Sequence, residues 1–121
     1  MNTVTTMSVL IEAEQPLVMA DFWATVFGVP VNPGSTDASA SLVPSAQSVQ
    51  LVFEKTDEPK IFRNRLRLQL VSEDFDHQLH RLLDLGTEFA RPGLDSLGVR
   101  SVELMDPEGN EFTLFARTRV A

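Results

Sequence analysis

The sequence predicts an α+β chain made of two tandem βαβββ modules, and three observations point there. Two helix-length segments each end on a glycine, Gly28 and Gly86, 58 positions apart (86 − 28). Shifting the chain by that interval lays helix on helix and strand on strand. Second, Phe62 to Val71 alternates strictly, with Leu66, Leu68 and Leu70 against Arg63, Arg65, Arg67 and Gln69, as a half-buried strand does. Third, Asp106-Pro107-Glu108-Gly109-Asn110 reads as a tight turn feeding a last alternating strand, Glu111 to Arg117.

Each element has its own local reason. Met1 to Glu12, rich in Thr, Val, Ile and Leu, is the first strand. Gln15 to Phe27 is helical, with Met19, Phe22, Trp23, Val26 and Phe27 on one face and Asp21 and Thr25 on the other. Gly28 closes it as a left-handed cap. Val29 to Val31 is a short strand, Pro33 to Asp37 a turn, Ser39 to Leu42 a weak strand and Val49 to Lys55 a stronger one. Module 1 therefore spans 1–55. Thr56 to Lys60 is polar with one proline, and the linker 56–61 leads into module 2, residues 62–118. After the Phe62–Val71 strand comes a helix from Glu73 to Leu85, capped by Ser72 and ended by Gly86. Strands Thr87–Ala90, Val99–Met105 and Glu111–Arg117 complete the module. Arg91 to Gly98, with Pro92, Gly93 and Gly98, reads as a mobile loop. Neither module is large enough to bury its sheet face alone.

Composition narrows the function classes. A chain of 121 residues fits one domain with a real core. The net charge of −7, from 17 acidic and 10 basic side chains, repels polyanions, so no nucleic-acid partner is expected. The absence of cysteine excludes disulfides, thiolate metal sites and cysteine nucleophiles. No membrane span or secretory signal is evident, and a cytoplasmic protein is the expectation. There is no phosphate-cradling glycine loop and no GxSxG elbow. His77 and His80 fall on the polar side of the second helix, a solvated face rather than a metal site.

Asp21-Phe22-Trp23 closing on Gly28, Asn64-Arg65-Leu66, Asp76-His77-Gln78-Leu79 leading to Leu85-Gly86, and Asp106 through Phe112 together resemble the vicinal oxygen chelate superfamily. That superfamily groups glyoxalase I, bleomycin-resistance proteins and extradiol dioxygenases; within it the chain is most similar to small bacterial glyoxalase-like domains. The resemblance covers nearly the whole chain. It implies sheets curled around a shared cavity, a homodimer, and a divalent metal held by His, Glu or Gln on the first and last strands of each module. The matching positions here are Ser8, Glu54, Arg67 and Thr113. Arginine has no lone pair to give a metal, and one carboxylate does not make a divalent site. No conventional metal site and no cofactor are therefore expected.

What remains is an anion-binding reading. Period 2 places Arg65, Arg67 and Gln69 on one side, with Arg63 nearer the rim, and guanidinium groups clamp carboxylates or phosphates by charge-assisted hydrogen bonds. Ser8, Val52, Glu54, Thr113 and Phe115 complete the candidate ligand-binding set, with Val52 and Phe115 as apolar walls. Internal pairing of Arg67 with Glu54 or Glu12 ranks ahead of ligand recognition, because a buried cation needs a partner. No catalytic residue is identified. The reading is a metal-free binder of a small polar or anionic molecule, as in resistance-type relatives that sequester a drug. Two alternatives stay open: a divalent-metal lyase or dioxygenase using displaced carboxylates (Glu12, Glu54, Glu111), and a non-catalytic protein-interaction module.

Overall fold

Chain contacts divide the protein into two units, Met1–Pro59 and Lys60–Ala121, a division that falls inside 56–61. The computed structural model describes residues 3–46, 48–62, 64–94 and 98–117.

The first unit contains β1 (Ser8–Ala13), α1 (Pro16–Phe27), β2 (Ser39–Ser41) and β3 (Gln50–Lys55). β1 runs parallel to β3, with Ser8 opposite Gln50 and Ala13 opposite Lys55, while β2 pairs antiparallel along the other edge of β3. Leu51 and Phe53 alternate inward from β3. With Ala13, Ala40, Leu42 and the α1 residues Met19, Ala20, Phe22, Trp23 and Val26 they form the buried core. Trp23 meets Phe22 edge-to-face at 5.3 Å and stacks on Phe27 at 5.8 Å. Pro16 starts the helix, where its missing N–H costs nothing, and Gly28 ends it at φ 69°. β1 is shorter than Met1 to Glu12 because the six residues of β3 offer no partner beyond Ser8. The expected Val29–Val31 strand reduces to one bridge, Val31 with Leu42; Pro30 has no N–H to extend it.

The second unit has the full βαβββ order: β4 (Gln69–Ser72), α2 (Phe75–Asp84), β5 (Glu88–Leu94), β6 (Arg100–Met105) and β7 (Glu111–Ala116). The sheet order is β4-β7-β6-β5, with β4 parallel to β7 and the other pairs antiparallel. Phe75 and Leu82 of α2 are buried with Val102, Leu104, Phe112 and Leu114. The turn into β7 is held by Asp106, whose Oδ1 accepts the N–H groups of Glu108 at 3.0 Å and Asn110 at 2.9 Å; Gly109 takes φ 82°. His77 and His80 are exposed. Among the described residues no helix is long and apolar enough to cross a membrane.

Three expectations are corrected in this unit. The strand expected over Phe62 to Val71 is only β4, and Leu66 is 67% exposed rather than packed with Leu68 and Leu70. Its partner β7 begins at Glu111, and the last backbone bond runs from the Thr113 N–H to the Leu68 carbonyl. Alternation without a partner strand makes no ladder. Ser72 is not the helix cap: it lies in β4, its Oγ accepts the Asp74 N–H at 3.0 Å, and α2 begins after Asp74 without a side-chain cap bond. Arg91 to Leu94, expected in a mobile loop, belong to β5. Pro92 is tolerated because β5 is the sheet edge. Arg63 and the 95–97 part of the expected loop lie outside the described residues.

Candidate functional site

Val102, Leu104, Phe112 and Leu114 are buried on the face of the second sheet that α2 packs against through β7 and β4, so the residues between them in sequence present the opposite face. Strand register arranges that face in cross-strand rows. One row runs Gln69, Thr113, Glu103, Arg91; the next runs Val71, Phe115, Ser101, Gly93. The first row is polar and the second mostly small or apolar.

Glu103 organises the polar row. Its Oε2 accepts a hydrogen bond from Arg67 Nη1 at 3.3 Å and forms an ion pair with Arg91 Nε at 3.4 Å. The Glu103 side chain is 12% exposed, Arg67 28% and Arg91 69%. A carboxylate this dehydrated requires a cationic partner, and Arg67 supplies the more sheltered one. The exposed Arg91 contact contributes little to stability. Among the described residues, two guanidinium groups thus converge on one carboxylate, in a chain whose net charge is −7. Gln69 and Val71 are exposed on the same face, Phe115 and Ser101 are half-buried, and Thr113 is buried.

One step earlier on β7, Glu111 is 6% exposed and fastens the segment that precedes β4. Its carboxylate accepts from Lys60 Nζ at 3.4 Å and from the Asn64 N–H at 3.3 Å, while the Asn64 side-chain oxygen accepts the Glu111 N–H at 3.0 Å. Burial pushes the Glu111 pKa up. The hydrogen bonds from its own backbone N–H and that of Asn64, with the Lys60 charge, outweigh burial and hold it below the usual carboxylate value.

The eight sequence-predicted ligand residues thus separate. Arg67, Gln69, Thr113 and Phe115 share one face of the second sheet, where Gln69 is exposed and Thr113 buried. Arg65 is exposed in the irregular segment before β4. Ser8, Val52 and Glu54 belong to the first unit, on the side of β1 and β3 away from Leu51 and Phe53. There Glu12 lies directly across from Glu54, both exposed. The partner of Arg67 is Glu103 rather than the expected Glu54 or Glu12, since β6 sits one strand beyond β7 in the same sheet. Sequence reasoning missed Glu103 and Arg91. The usable signal was the strand Val99–Met105, whose alternation puts Glu103 on the face opposite Val102 and Leu104.

The four positions that the resemblance implies for a metal do not fit one here. Arg67 offers only donors and is paired with Glu103. Ser8 and Thr113 offer neutral hydroxyls, leaving Glu54 as the single carboxylate. Among the described residues no three or more His, Asp or Glu side chains form a metal-binding group. Glu111, one of the displaced carboxylates considered, is committed to Lys60 and Asn64.

Residues 8–115 match the family model described as the glyoxalase-like domain. No curated protein matches the chain. Among solved structures, the oxidase ChaP-H2 is similar over 99% of this chain and 98% of its own, at 20% identity and a TM-score of 0.73. TioX from Micromonospora sp. ML1 is similar over 95% and 100%, at 18% identity and 0.68. A lactoylglutathione lyase from Agrobacterium tumefaciens is similar over 93% and 92%, at 15% identity and 0.69. At such identities the likeness is one of fold, and fold does not fix chemistry. The chain belongs to the glyoxalase-like domain family.

Proposed function

We propose that this glyoxalase-like domain binds a small anionic or polar molecule on the open face of its second sheet, through Arg67, without a conventional metal site. The observation that carries the reading is the pair of guanidinium groups converging on one oxygen of Glu103 beside exposed Gln69 and Val71. A guanidinium carries five N–H donors in a planar fork, more than one carboxylate oxygen uses. An incoming carboxylate or phosphate therefore shares Arg67 and Arg91 with Glu103, or displaces it. Gln69 and Thr113 stand in the same row to hydrogen-bond the polar part of the ligand. A homodimer, implied by the resemblance, belongs to the same proposal and is tested by light scattering on the purified protein.

Thermal denaturation with phosphate, acetate and succinate tests the reading. A ligand at a hundred times its Kd stabilises the folded state by about 2.7 kcal/mol. Wild type is expected to melt higher in at least one anion, and Arg67→Ala is expected to remove the rise. Identical responses in the two proteins would refute the proposal.

A further inference from the structure

We infer that the ligand is an aromatic monocarboxylate, its acid group on Arg67 and Arg91 and its ring over Ser101 and Gly93 beside Phe115. This inference deepens the reading above and rests on it.

Charge sets the number of acid groups. Among the described residues Arg67 and Arg91 both pair with the single carboxylate of Glu103, so one further acid group matches the second guanidinium. A dianion would leave unpaired negative charge against a protein that already carries −7.

The adjoining row sets the rest of the molecule. It lies two residues further along the strands, about 7 Å from the polar row. The ligand must therefore join an anionic head to an apolar body at about that distance. Phe115 and Val71 form the raised flank of the row, and Val71 is 54% exposed, an apolar β-branched surface left open to water. The other half of the row is low. Ser101 is small, and Gly93 opposite it has no side chain. A Cβ at Gly93 would stand 3.3 Å from Ser101 Oγ, so it projects to this same face and would crowd it. Adjacent strands are about 4.8 Å apart, which makes the Ser101–Gly93 floor about as wide as a ring. A flat body fits there with one edge against Phe115, where aromatic contact adds to the area buried. A branched aliphatic body does not match so shallow a floor.

The test is titration of the full chain, by calorimetry, with acetate, phosphate, succinate and 2-naphthylacetate. The proteins are wild type, Phe115→Leu, Gly93→Val and Arg67→Ala, each first checked for native circular dichroism. The expected result is that naphthylacetate binds at least tenfold more tightly than acetate or succinate. Phe115→Leu and Gly93→Val should each weaken naphthylacetate about tenfold while leaving acetate unchanged, and Arg67→Ala should weaken every anion. Gly93→Val keeps the test informative if Phe115→Leu fails to fold, since Gly93 is exposed and has no positive φ. If naphthylacetate binds no better than acetate, or ignores both apolar variants, while acetate still requires Arg67, the aromatic inference falls and the anion-binding reading stands. If no anion distinguishes wild type from Arg67→Ala, both fall.

Discussion

At the scale of single residues, Glu103 and Glu111 do different work with the same functional group. Glu103 pairs with the guanidinium groups of Arg67 and Arg91. Glu103→Gln should destabilise the fold by about 1–2 kcal/mol, because a charge-assisted bond to Arg67 becomes a neutral one. The same change should tighten phosphate binding, because the resident competitor loses its charge; melting with and without phosphate measures both effects. Weaker phosphate binding would instead show that Glu103 mainly positions Arg67. Glu111 predicts a pH dependence. Its folded pKa lies below the ordinary value of 4.5, so the ionised form is the one the fold favours. Its contribution is complete above that value and disappears as pH falls through the lowered one. The melting difference between wild type and Glu111→Gln should be largest near neutrality, about 1–2 kcal/mol. It should shrink as the pH falls below 4.5. A difference that stays constant from neutral pH to pH 3 would contradict the assignment.

At the scale of elements, local backbone chemistry ends the first helix. Gly28 sits at φ 69° with nothing within 4 Å of an added Cβ, so Gly28→Ala should cost about 1 kcal/mol from conformation alone. Gly34, equally open but without a positive φ, is the control and should tolerate alanine; equal melting shifts for the two variants would count against this account. What was legible in the sequence was of this local kind. Gly28 and Gly86 marked helix ends, Leu51 and Phe53 marked the inner face of β3, and Asp106 to Asn110 marked the turn before β7. What was not legible depended on partners. Arg65 and Leu66 alternate well enough for a strand, yet no strand pairs with them. Pro92 and Gly93 read as loop residues but serve in an edge strand, where one side needs no donors. The pairing of Arg67 with Glu103 joins positions 36 residues apart through register across β4, β7 and β6, which no local pattern encodes.

At the scale of the whole molecule, family membership fixes the architecture, and Ser8, Arg67 and Thr113 stand where the resemblance implies metal ligands. If no metal holds the ligand, chelation with EDTA should leave phosphate-induced stabilisation unchanged; its loss on chelation, and recovery with a divalent ion, would restore the enzyme alternative. The central claim, however, concerns one sheet face. Titrating isotope-labelled protein with phosphate and 2-naphthylacetate while following backbone amide signals tests it most directly. Shifts are expected to concentrate at Arg67, Gln69, Thr113, Glu103, Ser101 and Gly93. Shifts confined instead to the pocket at the start of α1, around Glu14 to Val18, Asp37 and Lys55, would contradict it.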